Sequence, residues 1–253
     1  MRQTKENIMS TYAPRPDVLA GRNILVTGAG GGIGRAVSLA YAAHGASVIL
    51  LGRTQAKLEK IYDEIERQSW PEAAILPLDL AQATPAQYAQ LAQTIEQQFG
   101  RLDGLLHCAA ESGTLTPIEL YEPEMWYRIM QTNLHAAWLL TRACLPLLNK
   151  STDASIVFSS ADVGRQGRAY WGAYGVACFG IEGMMQTLAD ELAGEGRVRV
   201  NSLNPGAVRT TMRARLYPGE DPERLRAPEE ILKSYLYLIG SDSLGVTGQS
   251  FDS

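Results

Sequence analysis

The sequence predicts a single-domain α/β protein with a doubly wound, parallel seven-stranded sheet and helices on both faces. Short β-rich runs alternate with longer helical stretches along the chain, which is the pattern of right-handed βαβ units. The length of 253 residues suits one α/β domain with a well-buried core. No linker, repeat or low-complexity tract interrupts the alternation, so we expect no second domain.

The predicted strands are Asn23–Val26, Ser47–Leu51, Ala74–Leu78, Leu102–Cys108, Ala154–Ser159, Val198–Leu203 and Gln249–Phe251. The predicted helices between them are Ile33–Ala43, Gln55–Gln68, Pro85–Phe99, Pro123–Leu148, Ala173–Ala193 and Pro228–Ile239. We assign residues 21–253 to the domain and residues 1–20 to an N-terminal leader. Met1 to Ile8 is polar and unpatterned and Met9 offers a second start, so we expect the first eight residues to be dispensable.

Composition limits the classes of function. The chain has 23 basic and 27 acidic residues, a net charge of −4, which does not favour nucleic acid or a membrane surface as a partner. No apolar run reaches the roughly 18 to 20 residues of a membrane span, and the N-terminus lacks a signal-peptide core. The three cysteines, Cys108, Cys144 and Cys178, are odd in number and far apart. We therefore expect a soluble cytoplasmic protein.

A glycine-rich turn joins the first predicted strand to the first predicted helix: Thr27-Gly28-Ala29-Gly30-Gly31-Gly32-Ile33-Gly34. Glycines let the backbone approach a pyrophosphate, which then binds the free N–H groups at the helix N-terminus. A merely flexible loop is the alternative, and the flanking strand and helix disfavour it. The turn predicts a Rossmann-type dinucleotide site. Its predicted cofactor-binding residues are Thr27, Gly28, Gly30, Gly32, Ile33 and Gly34.

The end of the second strand indicates which dinucleotide binds. In such folds an acid at this position holds the ribose 2′-hydroxyl, whereas an arginine favours a 2′-phosphate. Here Gly52 occupies the acid's position and Arg53 follows it. A guanidinium suits a phosphate, and no carboxylate repels it. We predict NADP(H) rather than NAD(H), the alternative being that Arg53 is an ordinary loop residue.

Further motifs follow the turn along the chain. They are Leu78-Asp79-Leu80, Gln131-Thr132-Asn133-Leu134, Tyr174, Asn204-Pro205-Gly206-Ala207-Val208-Arg209-Thr210 and Thr247-Gly248-Gln249. Together with the turn, they make residues 20–253 resemble the short-chain dehydrogenase/reductase family. The stretch from Val163 to Tyr174 is similar to the YciK-like branch of bacterial oxidoreductases.

The resemblance implies transfer of a hydride between a nicotinamide and a carbonyl or alcohol carbon, with a tyrosine moving the proton. It implies that Asp79 meets the adenine ring and that Asn133 helps to hold a proton-relay water. Tyr174 takes the place of the catalytic tyrosine, which also contacts the cofactor. The residues implied at the nicotinamide end are Pro205, Gly206, Val208 and Thr210.

Two positions that support the family's tyrosine are changed. Cys178 stands four residues after Tyr174, where the family has a lysine that binds the ribose and lowers the tyrosine pKa. Ala161, thirteen residues before the tyrosine, replaces the serine that fixes the substrate oxygen. No lysine occurs between Lys150 and Lys233, so none lies on the tyrosine's helix.

Neighbouring residues are candidates for the missing functions. Arg165 and Arg168 are close to the lysine position in sequence. Ser160 and Asp162 flank Ala161 on a strand end, where adjacent side chains point to opposite sides. Ser160 is the better candidate, because a neutral hydroxyl can donate to a carbonyl oxygen. The predicted catalytic set is therefore Tyr174, Asn133 and Ser160.

These changes favour one direction of the reaction. An unperturbed tyrosine has a pKa of about 10, so about one in a thousand is ionised at pH 7. Alcohol oxidation needs the phenolate, whereas carbonyl reduction needs the neutral phenol that is already present. We predict a slow NADPH-dependent carbonyl reductase. The alternative is a catalytically impaired NADP(H)-binding protein that serves as a sensor or an assembly subunit.

The remaining candidates have competing interpretations. Cys108 and Cys178 could make the nicotinamide pocket redox-sensitive, but small buried cysteines are the expected alternative. With His107 they do not make a convincing four-ligand set, so we predict no metal site. Five arginines after Gly206 could attract an anionic substrate, or could form a solvated face balanced by nearby acids. They are Arg209, Arg213, Arg215, Arg224 and Arg226.

The two long predicted helices carry large apolar side chains, including Trp126, Trp138 and Met184. These side chains could belong to the core alone. In members of the family the matching helices pack across a two-fold axis. The resemblance therefore implies a homodimer or homotetramer.

Overall fold

The computed structural model describes residues 11–194 and 196–253. Within them, seven parallel strands form one sheet in the order β3-β2-β1-β4-β5-β6-β7. The strands are β1 Asn23–Thr27, β2 Ser47–Gly52, β3 Ala74–Pro77, β4 Gly104–His107, β5 Ala154–Ser159, β6 Val198–Asn204 and β7 Gln249–Asp252. This confirms the predicted doubly wound sheet. Because the strand order reverses between β1 and β4, a crevice opens at the carboxyl ends of these strands.

Helices cover both faces of the sheet, as predicted. They are α1 Gly32–Ala43, α2 Gln55–Arg67, α3 Pro85–Phe99, α4 Pro123–Met130, α5 Ala136–Leu148, α6 Gly172–Glu191, α7 Thr211–Leu216 and α8 Leu232–Ile239. The core on one face is built with α1, α2 and α8, including the fully buried Tyr41 and Tyr235. The core on the other face is built with α3, α5 and α6, including Tyr88 and Met185.

The predicted continuous helix Pro123–Leu148 is interrupted by a π-helical turn at Gln131–His135. Asn133 lies in this turn, and its side-chain oxygen accepts from the Glu111 backbone N–H at 2.8 Å. Its amide donates to the Glu111 carbonyl oxygen, also at 2.8 Å. The buried Asn133 side chain thus satisfies both the N–H and the carbonyl oxygen of Glu111, in the loop after β4. Irregular turns of this kind occur frequently at functional sites.

Two other segments differ from the predictions. The predicted helix Pro228–Ile239 starts with a 3₁₀ turn at Pro228–Ile231 before α8. The short helix α7 was not predicted, and it begins after Thr210, whose hydroxyl accepts from the Arg213 backbone N–H at 3.2 Å. This side-chain cap compensates for the free N–H groups of the first turn.

The predicted leader lies partly on the domain. Val18 and Leu19 are buried, and the Leu19 N–H donates to the His44 carbonyl oxygen at 3.0 Å. The Tyr12 ring packs edge-on against Tyr237, with centroids 5.2 Å apart. The expected dispensability of the first eight residues falls outside the described residues, and the boundary at residue 21 stays a prediction. None of the described helices is long and apolar enough to cross a membrane.

Candidate active site and cofactor cleft

Two glycines of the turn allow contacts that no other residue would permit. Gly28 has a positive φ of 69°, and a Cβ there would lie 2.8 Å from the Ala109 Cα atom. A Cβ on Gly34 would collide with the Gly28 carbonyl oxygen. Gly31, in contrast, has nothing within 4 Å on the side where a Cβ would stand. The turn is therefore packed tightly on its inner side and open on its outer side.

The start of α1 offers unpaired N–H groups at this turn. Gly31 is the N-terminal cap and supplies no side-chain hydrogen bond, and Gly32 and Ile33 begin the helix. The first N–H groups of a helix have no intrahelical partner and together favour an anion. The turn thus fits a pyrophosphate by its shape and by its donors.

Thr27 holds the ends of two strands together. Its hydroxyl oxygen accepts from the backbone N–H groups of Cys108 at 2.9 Å and Ala109 at 3.0 Å. The side chain is almost fully buried. Thr27 was predicted to bind the cofactor, and the structure shows that its side chain fixes β1 against the loop after β4 on the inner side of the turn.

A cleft of about 260 Å³ lies beside the turn and brings together Gly28, Arg53 and Asp79. Arg53 is exposed, and its guanidinium pairs with no acid of the described chain. Asp79 is half-buried and accepts from the Ala81 backbone N–H at 3.1 Å, which fixes its carboxylate. The cleft therefore combines a glycine cradle, a free cation and an oriented acid, which fits the adenosine half of a phosphorylated dinucleotide.

The segment after β6 lies next to the glycine turn. The residues predicted here were Pro205, Gly206, Val208 and Thr210. The Thr210 side chain is 3.5 Å from the point where a Cβ on Gly32 would stand. The Arg226 guanidinium donates to the Pro205 carbonyl oxygen at 2.8 Å, which ties this segment to a later part of the chain. None of these four predicted residues lines the cleft, whereas the following Thr211 does.

A second cavity, of about 30 Å³, is lined by Tyr174, Asn133, Cys178 and others. Tyr174 lies in the first turn of α6. Burial, and after it the neighbouring thiol of Cys178, raise the pKa of Tyr174 well above its usual value. The phenol therefore keeps its proton at neutral pH. Ala109, Ala110 and Thr132 line both this cavity and the cleft, so the two are neighbours.

The thiol at the lysine position is packed tightly. A Cβ on Gly164 would lie 2.7 Å from the Cys178 Cβ, so these two backbones are in close contact. Burial raises the pKa of Cys178 to about 12. No lysine or arginine of the described chain lines the cavity beside Tyr174. The tyrosine therefore lacks the cation that would stabilise its phenolate.

Neither nearby arginine replaces that cation. Arg165 donates to the Asp252 carboxylate at 2.8 Å and to the Phe251 carbonyl oxygen at 2.8 Å. Arg168 pairs with Asp162 at 2.6 Å. Both guanidiniums are thus held by other groups.

The serine position shows a difference from the prediction. Ala161 continues the strand end in an extended conformation, so Ser160 and Asp162 point to the side opposite to Ala161. Ser160 does not line the cavity beside Tyr174, and its buried hydroxyl has no hydrogen-bond partner among the described residues. Ser159, which sequence reasoning missed, lines the cavity instead, and its hydroxyl is 2.7 Å from the Tyr235 hydroxyl.

Two further titratable groups near the site, the buried His107 and the half-buried Cys108, are neutral at pH 7. The His107 ring stacks on Phe158, with centroids 4.7 Å apart, and its Nε2 is 2.8 Å from the Thr141 hydroxyl. Burial lowers the pKa of His107 to about 3, and it raises the pKa of the Cys108 thiol to about 11. Within the described residues, no group of three or more potential ligands from His, Cys, Asp and Glu could hold a metal ion.

The fold and this site define a dinucleotide-binding α/β protein with a half-buried tyrosine beside the cleft. The chain belongs to the short chain dehydrogenase family, whose model matches residues 22–221. It is similar to the uncharacterized oxidoreductase YciK of Escherichia coli strain K12, with 48% identity over 242 residues, 96% of this chain and 95% of the relative. The predicted resemblance, including its YciK-like character, is confirmed.

Two solved structures are similar over nearly the whole chain. A short chain dehydrogenase from Pseudomonas syringae is 55% identical with a TM-score of 0.94, covering 95% of this chain and 98% of its own. A short chain dehydrogenase from Shigella flexneri 2a, complexed with NADP, is 47% identical with a TM-score of 0.92. It covers 94% of this chain and 99% of its own.

Proposed function

We propose that the chain is an NADP(H)-dependent oxidoreductase that reduces a carbonyl compound slowly, with Tyr174 as the proton donor. The observation that carries this proposal is the protonated hydroxyl of the half-buried Tyr174 side chain. Its raised pKa keeps the proton on the oxygen, in a cavity that shares wall residues with the cleft. A neutral phenol is the protonation state that carbonyl reduction needs.

The residues of the cleft fit the cofactor that the Shigella flexneri relative binds. The glycine turn and the start of α1 would hold the pyrophosphate, Arg53 the 2′-phosphate and Asp79 the adenine end. When bound, NADPH supplies the hydride that reduces the carbonyl carbon. Tyr174 donates its proton to the carbonyl oxygen, and Asn133 supports the relay that reprotonates the tyrosine.

Reduction is favoured over alcohol oxidation for an electrostatic reason. Oxidation needs the Tyr174 phenolate. For a pKa above 10, less than about one in a thousand of these side chains is ionised at pH 7. The thiol of Cys178 adds no positive charge to stabilise that phenolate. The missing hydroxyl at Ala161 costs a further factor of roughly a hundred, as removed oxyanion donors do in other enzymes. Ser159, which lines the cavity, is the better candidate to replace that hydroxyl than the predicted Ser160, which does not line it.

A second candidate function is binding of NADP(H) without turnover, in a sensor or an assembly subunit. Ala161 and Cys178 favour it, because the binding features are retained while both supporting catalytic groups are replaced. The absence of a lysine or arginine around Tyr174 in the described chain adds to this argument.

One experiment separates the two functions. NADPH binding is measured by fluorescence, and NADPH consumption is followed with a broad panel of carbonyl compounds. The native chain is compared with Tyr174→Phe and with the double variant Ala161→Ser/Cys178→Lys. Turnover by the native chain that Tyr174→Phe abolishes supports the reductase. Tight binding with turnover only in the double variant would refute it and support the sensor.

We also propose that the chain forms a homodimer or homotetramer in the cytoplasm. Adjacent helices α4, α5 and α6 carry exposed apolar side chains: Tyr127, Trp138, Val176 and Phe179. A second copy of the chain would cover them. Light scattering measures the mass in solution of the native chain and of Phe179→Asp. A monomeric mass for both proteins would contradict this proposal.

A further inference from the structure

The arginines after β6 differ in their pairing. Three of them are paired with acids: Arg209 with Glu223, Arg213 with Glu220 and Arg224 with Asp221. A fourth, Arg226, donates to two backbone carbonyl oxygens. The side chain of Arg215 makes no hydrogen bond or ion pair with any described residue. The interpretation as an acid-balanced face therefore holds for the three paired arginines and fails for Arg215.

Arg215 lines the same 260 Å³ cleft as Arg53. The acids of this cleft are already engaged: Glu111 pairs with Arg128 at 2.7 Å, and Asp79 accepts from the Ala81 N–H. Two unpaired guanidiniums thus face one cleft whose carboxylates are occupied by other groups. Such a cleft attracts a ligand with more than one anionic group.

The position of α7 indicates which anionic group Arg215 reaches. Helix α7 starts directly after Thr210, which packs beside Gly32 of the glycine turn. Thr211 and Arg215 are four residues apart and both line the cleft, so they share one helix face. Side chains on a helix lean toward its N-terminus. The Arg215 side chain therefore leans back toward the glycine turn, whereas Arg53 lies at the end of β2.

We propose that Arg215 binds the pyrophosphate of the nicotinamide cofactor from α7, opposite the glycine turn. This inference rests on the proposed NADP(H) binding. Arg53 then binds the 2′-phosphate and Arg215 the bridging phosphates, so the bound cofactor links α7 to the sheet. The segment after β6 is thereby held over the cleft while the cofactor is bound.

The test compares three variants and three probes. The variants are Arg215→Gln, Arg53→Gln and the control Arg224→Gln, which changes an exposed arginine of the same segment that does not line the cleft. The probes are NADPH, NADH and 2′-AMP, which carries the 2′-phosphate without a pyrophosphate. Dissociation constants are measured by fluorescence or calorimetry.

We expect Arg215→Gln to weaken the binding of NADPH and of NADH alike, by about tenfold in the dissociation constant, which corresponds to about 1.4 kcal/mol. The affinity for 2′-AMP stays unchanged in this variant, and Arg224→Gln changes none of the three. Arg53→Gln weakens the binding of NADPH and 2′-AMP but leaves the affinity for NADH unchanged. Arg215→Lys recovers part of the affinity, because an ammonium keeps the charge but not the bidentate geometry.

Provided that the native chain binds NADPH, three results would overturn the inference. The first is an unchanged NADPH affinity in Arg215→Gln. The second is an Arg215→Gln variant that loses affinity for NADPH and 2′-AMP but keeps its affinity for NADH, and the third is an equal loss of NADPH affinity in Arg224→Gln. If the native chain binds no NADPH at all, the proposed function fails and the inference fails with it.

Discussion

Replacing Cys178 by lysine measures how strongly the missing cation would lower the pKa of Tyr174. The new side chain has the same Cβ as the cysteine, so its contact with Gly164 is kept, and its longer stem extends toward the 30 Å³ cavity. Residues four apart on a helix have Cβ atoms about 5–6 Å from each other. A unit charge about 5 Å from the phenolate oxygen, at an effective dielectric constant near 20, contributes about 3 kcal/mol. That energy lowers the pKa of Tyr174 by about two units.

The assay needs no substrate. Ultraviolet absorbance follows tyrosinate formation with pH in Cys178→Lys, and the curve of Cys178→Lys/Tyr174→Phe is subtracted to isolate Tyr174. Because the raised pKa keeps the native phenol protonated, its ionisation step lies above pH 10. The lysine moves this step to lower pH by about two units. Cys178→Met, which is long and uncharged, is the matched control and leaves the step in place.

The same variant changes the two directions of catalysis unequally. A drop of two pKa units raises the phenolate fraction at pH 7 by about a hundredfold, so alcohol oxidation gains by up to that factor. Carbonyl reduction changes much less, because its donor is already protonated. An unshifted Tyr174 titration in a folded Cys178→Lys variant would refute the reasoning. Equal shifts in the lysine and methionine variants would refute it as well.

Three further predictions concern the fold and the thiols. Gly34→Ala destabilises the protein by about 1–3 kcal/mol, because its Cβ collides with backbone. The control Gly167→Ala, at an exposed position with nothing within 4 Å of the new Cβ, stays within about 0.5 kcal/mol. Equal melting temperatures of the two variants would contradict this. Asn133→Ala leaves the Glu111 backbone N–H and carbonyl unsatisfied. The free energy of unfolding in urea therefore falls by about 2 kcal/mol. An unchanged urea midpoint would argue against a role of Asn133 in holding the loop after β4. Cys108, with its pKa near 11, reacts with iodoacetamide at pH 7 more than about a hundredfold slower than free cysteine. Labelling at the rate of free cysteine would show that the pKa of this thiol is not raised.

The sheet and the cofactor cleft could be predicted from local signals. Each strand and the glycine turn is a contiguous stretch, and Gly52 with Arg53 follows the second strand directly. Parallel βαβ topology then brings the ends of these strands to one crevice. The structure places Gly28, Arg53 and Asp79 in one cleft for this reason.

The features that were missed depend on contacts between distant residues. Asn133 in the π-turn hydrogen-bonds to Glu111, which lies 22 residues earlier in the chain. The cavity-lining serine is an exception, because side chains two residues apart on a strand share a face. Local alternation already places Ser159, rather than Ser160, on the side of Ala161. The unpaired state of Arg215 depends in the same way on the fold, because the fold decides which arginines the nearby acids Glu220 and Glu223 pair with.

The most direct test of the central claim is the pH dependence of NADPH consumption with a carbonyl substrate, in the native chain and in Tyr174→Phe. Because Tyr174 stays protonated and His107 stays neutral across this range, we predict a slow native rate that is nearly constant from about pH 6 to 9. Tyr174→Phe, with NADPH affinity retained, abolishes it. A native rate that survives in Tyr174→Phe, or no native turnover beside tight NADPH binding, would contradict the claim that this tyrosine donates the proton.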